Sequence, residues 1–286
     1  MTRKNILKMR EIMSEKQFEH IKVERNKENN YAIISINRPE KLNALHTITL
    51  REIAEVLEKM ALDKSVRCVV LRGTKDYTKK PAFSAGADLS TRGYPAIDPK
   101  NLMDQCYGMY IRHKYYDIIE SFPKPLIAAV DGYALGGGFE LVLVCDIVIA
   151  SKRSTFGFPE VKRGIAPFNG GTQRLIRNLG KIRTKTMIYF GEHYNAEEMY
   201  KWGIISFLVK DEDFEDFVHQ KASWIGNAAT KSLFVIKKAI DYGSQVPLNI
   251  GLQFEHLGYG INSQSKDVIE GVTAFLQKRE PKFTGE

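Results

Sequence analysis

Two short stretches of this chain set bare backbone amides beside carboxylic acids. In Ala134-Leu135-Gly136-Gly137-Gly138-Phe139-Glu140, three glycines remove the side chains that would keep a ligand oxygen from the main-chain N–H groups, and an acid follows directly. A second acid closes Phe156-Gly157-Phe158-Pro159-Glu160, and Ala85-Gly86-Ala87 is a further small-residue turn. One N–H from each turn, aimed at a single carbonyl oxygen, forms an oxyanion hole; losing one such donor typically costs about 2.7–4 kcal/mol of transition-state stabilisation. Two acids add general acid–base chemistry, in which one group accepts a proton while another gives one. Burial beside Phe139, Phe156 and Phe158 would raise their proton affinities and ease that exchange. Each feature taken singly also has a plainer reading. The turns serve equally as tight strand-to-helix connections, Glu140 as an acid stabilised by a helix dipole, and Glu160 as a surface acid at a strand end.

Positioning such groups takes strands that end beneath the turns. The apolar run from Pro125 to Val130 reads as a buried strand, the glycines as the turn after it, and Phe139 to Cys145 as a helix. Upstream, His20 to Glu24 and Tyr31 to Ile36 flank the polar turn Asn26 to Asn30 as a hairpin. Leu50, Ile53, Val56, Leu57 and Met60 give Thr47 to Leu62 a helical period, and Val66 to Leu71 is a buried-strand pattern. Gly93, Pro95 and Pro99 make Ser90 to Pro99 a loop, with Tyr94 at a substrate mouth, before a helix over about Asn101 to Ser121. Asp146 to Ala150 is strand-like, and Gly170-Gly171-Thr172-Gln173-Arg174 opens another helix. Beyond Ile182 the pattern is helical, with one short strand expected at Ile204 to Val209. The expected plan is an N-terminal tail over 1–18, an α/β core over 19–200 that carries the site, and a helical region over 201–286.

The chain has 286 residues, 43% hydrophobic and 27% charged, ample for a full core. A net charge of +8 and a pI near 9.2 suit an anionic partner: a phosphorylated small molecule, nucleic acid or a membrane surface. Cys68, Cys106 and Cys145 lack metal-ligand spacing and read as reduced thiols of a cytoplasmic protein; the six histidines form no metal-ligand group. No apolar run approaches the roughly 20 residues needed to span a bilayer. Arg3, Lys4, Lys8 and Arg10 without an acid fit a mitochondrial transit peptide, against which stand Glu11 and Glu15, and Met13 offers an alternative start. The cytoplasm is the expected compartment.

Five motifs then occur in one order: Asn37-Arg38-Pro39-Glu40-Lys41-Leu42-Asn43-Ala44-Leu45, Phe83-Ser84-Ala85-Gly86-Ala87-Asp88-Leu89, Gly132-Tyr133-Ala134-Leu135-Gly136-Gly137-Gly138, Phe156 to Glu160, and Gly170-Gly171-Thr172-Gln173-Arg174-Leu175. In this order the chain resembles the crotonase, or enoyl-CoA hydratase, superfamily from about His20 to its C-terminus. The resemblance implies a spiral of ββα units, a helical C-terminal trimerisation region and a hexamer built as a dimer of trimers. It further implies an acyl-CoA thioester substrate, with CoA itself part of the substrate and no separate cofactor or metal. The amides of Ala87 and Gly137 would hold the thioester oxygen, and Glu140 and Glu160 match both acids of the hydratase branch. Substrate and CoA contacts are expected at Lys41, Ala44, Ala85, Asp88, Leu89, Phe168, Phe275 and Lys278, with Arg279 and Lys282 nearby.

Phe168 stands where the family commonly has glycine. It would either narrow the acyl pocket toward short chains or pack as a core aromatic. Arg163 replaces a frequent aliphatic residue, either to attract a charged acyl group or simply as an exposed cation. The leading expectation is reversible hydration of a short-chain 2-enoyl-CoA. An enoyl-CoA isomerase would need only one acid. An RNA-binding protein on the same scaffold is the third reading, since Lys79-Lys80 and Lys231 to Lys238 are basic, yet they lack interleaved exposed aromatics.

Overall fold

The computed structural model describes residues 18–90 and 100–286. The expected N-terminal tail, including the transit-peptide reading, and most of the loop with Tyr94 lie outside the described residues.

A strand of one sheet, a strand of a second sheet and a helix repeat in sequence. The first such unit is β3 (Cys68–Gly73), β4 (Ala82–Ser84) and α2 (Leu102–Glu120); the second is β5 (Leu126–Val130), β6 (Tyr133–Leu135) and α3 (Gly137–Val142); the third is β7 (Ile147–Ser151), β8 (Thr155–Gly157) and α4 (Gly171–Phe190). Before them come the antiparallel hairpin β1 (Ile21–Asn26) and β2 (Tyr31–Ile36), then α1 (Thr47–Leu62). After them come β9 (His193–Asn195), α5 (Ala196–Lys201) and β10 (Phe207–Val209). The larger sheet has the order β1-β2-β3-β5-β7-β10, parallel from β2 onward, and the smaller has the order β4-β6-β8-β9, parallel except at β9. This is the spiral of ββα units.

Why the central strands read as unbroken apolar runs is visible in their partners. Leu126, Ala128 and Val130 enter one core, while Ile127 and Ala129 enter another on the opposite face. The two faces of β3 divide in the same way, Val69 and Leu71 against Cys68 and Val70. A parallel sheet covered on both sides leaves no solvated face to alternate with. The larger core, between the sheets and under α1, takes Phe83, Ala134 and Phe156 from the second sheet. The other core is closed by α6 (Phe214–Gly226), whose Phe214, Val218, Ala222 and Ile225 recur at helical spacing against the sheet.

Several boundaries differ from the sequence expectation. The inner helix begins at Gly137 rather than Phe139 and ends at Val142, so two of the glycines form its first turn. The expected strand over residues 204–209 shrinks to Phe207–Val209, because Ile204 and Ile205 turn their N–H groups to the Met199 carbonyl. β4, β6, β8 and β9 are three residues each, too short to show a period. The sheet thus continues past residue 200, through β10. Helix α4 is broken at Gly180, whose φ of 74° is outside the helical range.

Beyond α6, the helices α7 (Thr230–Gly243), α8 (Leu248–Ser263) and α9 (Lys266–Leu276) follow. Helices α7 and α8 meet at Gly243 and Gly251, where a methyl on Gly251 would lie 3.2 Å from the Gly243 carbonyl oxygen. Ile240, Leu248, Leu257, Tyr259, Ile269 and Phe275 on these helices are each more than half exposed. Lys237, within one of the basic clusters, is buried and ion-paired with Asp146 at 2.8 Å, so that cluster is partly structural.

Candidate active site

The first amide is bared by a single parallel bridge. Leu42 and Asn43 adopt left-handed φ values of 50° and 56°, which turn the chain after Pro39 back toward β4. Asn43 is held there by donating to the Ala82 carbonyl at 2.7 Å and accepting from Arg38 N–H at 3.0 Å. Leu45 N–H then donates to the Gly86 carbonyl (2.7 Å), and Asp88 N–H donates to the Leu45 carbonyl (2.9 Å). Because the neighbours of Ala87 supply both bonds of this bridge, Ala87 N–H faces the other way. It makes no hydrogen bond among the described residues.

Gly137 supplies the second amide, as the first residue of α3, where helical N–H groups have no intrahelical partner. The two amides face one small space: a methyl on Gly137 would lie 3.5 Å from the Ala87 nitrogen, and one on Gly86 would lie 3.6 Å from the Gly137 nitrogen. A methyl on Gly138 would meet the Ser84 carbonyl oxygen at 2.5 Å, so its absence lets α3 sit on the end of β4. Buried Tyr116 of α2 donates its hydroxyl to the Gly137 carbonyl at 3.0 Å, fixing the helix start.

Glu140, one turn further along α3, is fully buried. Its Oε1 accepts from Asn169 N–H and Gly171 N–H, and its Oε2 from the Asn169 side-chain amide, each at 2.8 Å. On balance its carboxyl is raised above the usual range: burial pushes it up, and the Asn169 side chain, these two backbone donors and the charge of Arg174 offset that only in part. Glu160 follows β8 in a single 3₁₀ turn (Pro159–Arg163). Burial pushes its carboxyl up to about 7, opposed by its own N–H and Arg163 and assisted by the charge on Glu140. Its Oε1 lies 2.7 Å from where a methyl on Gly136 would stand, and Gly136 has a φ of 51°, so neither space nor backbone admits another residue there. Glu160 Oε2 is buried without a hydrogen-bond partner among the described residues. The two acids therefore differ in kind: Glu140 sits among N–H donors that favour an anion, and Glu160 presents a bare oxygen in an apolar setting that favours the acid.

The remaining expected contacts are spread around this centre. Asp88 is buried and committed, accepting from Ser90 N–H and hydroxyl on one oxygen and from Arg38 on the other. The Ser90 hydroxyl and Arg38 hold its carboxyl well below the usual range. Arg38 also donates to the Ala44 carbonyl, so Asp88 braces the two loops that form the bridge. Ala85 donates its N–H to the Leu42 carbonyl, and Lys41 is exposed with Nζ 3.3 Å from the Ser90 hydroxyl. Leu89 and Phe168 are each 62% exposed, which removes the core-aromatic reading of Phe168. Arg163 is exposed, as in its plainer reading. Phe275 and Lys278 are exposed at the end of α9, where Arg279 is ion-paired with Glu270.

Sequence reading passed over Asn169, Gly171, Tyr116, Asn43 and His113, whose Nε2 lies 2.5 Å from the Phe168 carbonyl oxygen. One signal was available. Gly170-Gly171 opens a helix as Gly136-Gly137 does, and a helix start is an anion site; the buried Glu140 carboxylate occupies this one.

The stacked parallel spiral, with facing amides at the inner helix and a buried acid one turn along it, defines a protein of the crotonase fold. The family model described as enoyl-CoA hydratase/isomerase matches residues 26–286, and the chain belongs to that family. It is 36% identical over 253 residues to 2,3-dehydroadipyl-CoA hydratase of Escherichia coli, covering 88% of this chain and 94% of that protein. It is 35% identical to short-chain-enoyl-CoA hydratase of Clostridium acetobutylicum, covering 89% and 94%. Among solved structures, an enoyl-CoA hydratase from Bacillus anthracis superposes with a TM-score of 0.84 at 34% identity, covering 94% of this chain and all of that one.

Proposed function

We propose that this chain adds water reversibly across the double bond of a 2-enoyl-CoA thioester to give a 3-hydroxyacyl-CoA, with Glu140 and Glu160 as the acid–base pair. Enoyl-CoA hydration is the activity named for relatives at about 35% identity over most of the chain, and one observation carries the assignment of roles. A buried carboxyl gripped by N–H donors and a partly buried one with a bare, buried oxygen stand next to two amides that have no partner among the described residues.

In the forward direction Glu140 takes a proton from the water attacking carbon 3. Electrons move onto the thioester oxygen, where the Ala87 and Gly137 amides tighten their hold as enolate character develops. Glu160 gives its proton to carbon 2. The reverse reaction uses the same groups with the proton exchanged: Glu160 removes the carbon 2 proton and Glu140 protonates the departing hydroxyl. Only protons and water move, so the reaction calls for no redox partner. An isomerase would use one acid to carry a proton between carbons 2 and 4, which leaves the second buried acid without a task. Loss of the conjugated enoyl absorbance of crotonyl-CoA, followed over acyl chain length, tests the reading; no loss with any chain would refute it. A short acyl group is proposed, in keeping with the similarity to a short-chain-enoyl-CoA hydratase.

The active form carries one proton on the pair, on Glu160 for hydration and on Glu140 for dehydration. These are tautomers of one protonation state, so the pH profile of kcat/KM is the same bell in both directions. With Glu160 raised to about 7, that proton is lost as pH climbs, and kcat/KM is expected to fall about tenfold per pH unit on the alkaline side of pH 7. Steady-state rates in both directions from pH 5 to 10 check this.

The apolar residues left exposed on α7, α8 and α9 support a homo-oligomer, and a hexamer is the proposed state. Light scattering is expected to give six times the 32.5 kDa chain mass. Lys41 and the basic end of α9 are the proposed contacts for the CoA phosphates, the latter from a neighbouring subunit. No described helix is long and apolar enough to cross a membrane, and the three cysteines are free. We place the enzyme in the cytoplasm.

A further inference from the structure

Glu140 is gripped on both oxygens, but by different means. Its Oε1 receives two main-chain N–H groups, those of Asn169 and Gly171, which any sequence with this backbone would provide. Its Oε2 receives a side chain, the Asn169 amide, at 2.8 Å. An ionised carboxylate can only accept, so the amide must turn its NH₂ toward Glu140. That leaves Asn169 Oδ1 on the far side, buried and without a partner among the described residues. A buried amide oxygen left bare costs free energy unless something in the working enzyme donates to it. Glu160 Oε2 is a second bare, buried acceptor in the same site.

We propose that the Asn169 side chain is a positioning residue for Glu140: its NH₂ fixes Oε2 in the orientation that receives a proton from water, and its Oδ1 accepts the other hydrogen of that water. This rests on the hydration reading and adds to it a part that backbone geometry alone does not supply. The water then has a defined attitude, with one hydrogen on Glu140, the other on Asn169 Oδ1 and a lone pair free for carbon 3. The charged and titratable groups around Glu140 are Glu160 from the Pro159–Arg163 turn, Tyr116 from α2 and Arg174 from α4; Arg174 is tied to Glu120 and Asp117. None of these takes over the donor that Asn169 supplies to Oε2.

Asn169→Ala keeps both backbone donors and so leaves the loop folded. One charge-assisted hydrogen bond to the anion is removed, which moves the acid limb of kcat/KM upward by about one pH unit. Asn169→Asp exchanges the donor for a second carboxylate and moves the limb further. The expected result for Asn169→Ala is a tenfold-lower kcat/KM on the acid limb that converges toward wild type as pH rises, apart from a pH-independent loss due to the missing water contact. A limb that stays in place in both variants overturns the proposal. Carboxyl ¹³C NMR titration reads the same quantity without turnover: the Glu140 resonance, identified by its absence in Glu140→Gln, should titrate about one unit higher in Asn169→Ala. An unmoved midpoint overturns the proposal even if the enzyme hydrates crotonyl-CoA. A shifted midpoint in a protein that hydrates no enoyl-CoA sustains Asn169 as the group that orients Glu140 and defeats the hydration reading instead.

Discussion

Glu160→Gln is expected to lower kcat for crotonyl-CoA hydration by about 10²–10⁴-fold, the usual contribution of a positioned general acid, while KM stays within a few-fold. Glutamine keeps the size of the side chain and holds no proton that can be transferred. Its amide is also easily accommodated, because Glu160 Oε2 makes no hydrogen bond among the described residues that the exchange would break. The fold therefore survives, and the loss falls on the chemical step. The alkaline limb near pH 7 should vanish with it, since the group raised to about 7 is gone. Glu140→Gln is expected to match it in kcat. Its remaining oxygen keeps the Asn169 and Gly171 N–H bonds, and the Asn169 amide can turn its Oδ1 to accept from the new NH₂, so the fold survives here too. Thermal unfolding beside kinetics checks that both losses fall on the chemistry. Near-normal turnover in both variants would remove the acids from the mechanism.

The second large effect is expected at Gly137→Ala. A methyl at this position makes only ordinary contacts, 3.5 Å to the Ala87 nitrogen, 3.6 Å to Leu45 and 3.7 Å to the Tyr116 hydroxyl, so the protein should fold and assemble normally. The methyl nonetheless stands between the two amides, where a thioester oxygen must come within about 2.7–3.1 Å of each donor. Excluding that oxygen from one donor should reduce kcat by about 10²–10³-fold, and kcat/KM by at least as much. Gly138→Ala is the contrasting control. Its methyl meets backbone at 2.5 Å, and loss of folding, not of a transition-state contact, is the expected outcome. If Gly137→Ala retained full activity, the oxyanion role of this amide would be refuted.

Much of the framework was legible in the chain because long elements carry their own periodicity. Helix α1 falls on the residues its apolar spacing indicates, and α2 begins and ends one residue inside the expected span, capped by Asn101. The hairpin from Ile21 to Ile36 and the buried strands β3, β5 and β7 lie within two residues of where their apolar runs placed them. The second sheet was not legible. Its strands are three residues long; β4, β6 and β8 each follow a strand of the first sheet that delivers the chain to a neighbour, and β9 returns to β8 after α4. The start of α3 was misjudged for a related reason. Glycine is a poor helix former on its own, and Gly138 is required where the helix packs on Ser84, since a methyl there would meet the Ser84 carbonyl oxygen at 2.5 Å.

By itself the sequence pointed to the family, through five motifs in one order, and to the small-residue turns and acids proposed for the site: Ala87, Gly137, Glu140 and Glu160. Those are local properties, small residues at turns and acids at fixed offsets from them. Tertiary structure alone decided what each group faces. Ala87 N–H has no partner among the described residues because Leu45, forty-two positions earlier, takes the bonds of its neighbours, and Glu140 is surrounded by donors because α4 begins against it. Asn169 carries no signal of its own, since an asparagine before two glycines is ordinary turn chemistry until a buried carboxylate is packed onto it. The proton affinity of an acid depends on its solvation and on the donors in contact with it, and both are set by residues far away in the chain. Types and spacings could name the candidates; only packing set one acid among N–H donors and left the other with a bare oxygen among the described residues.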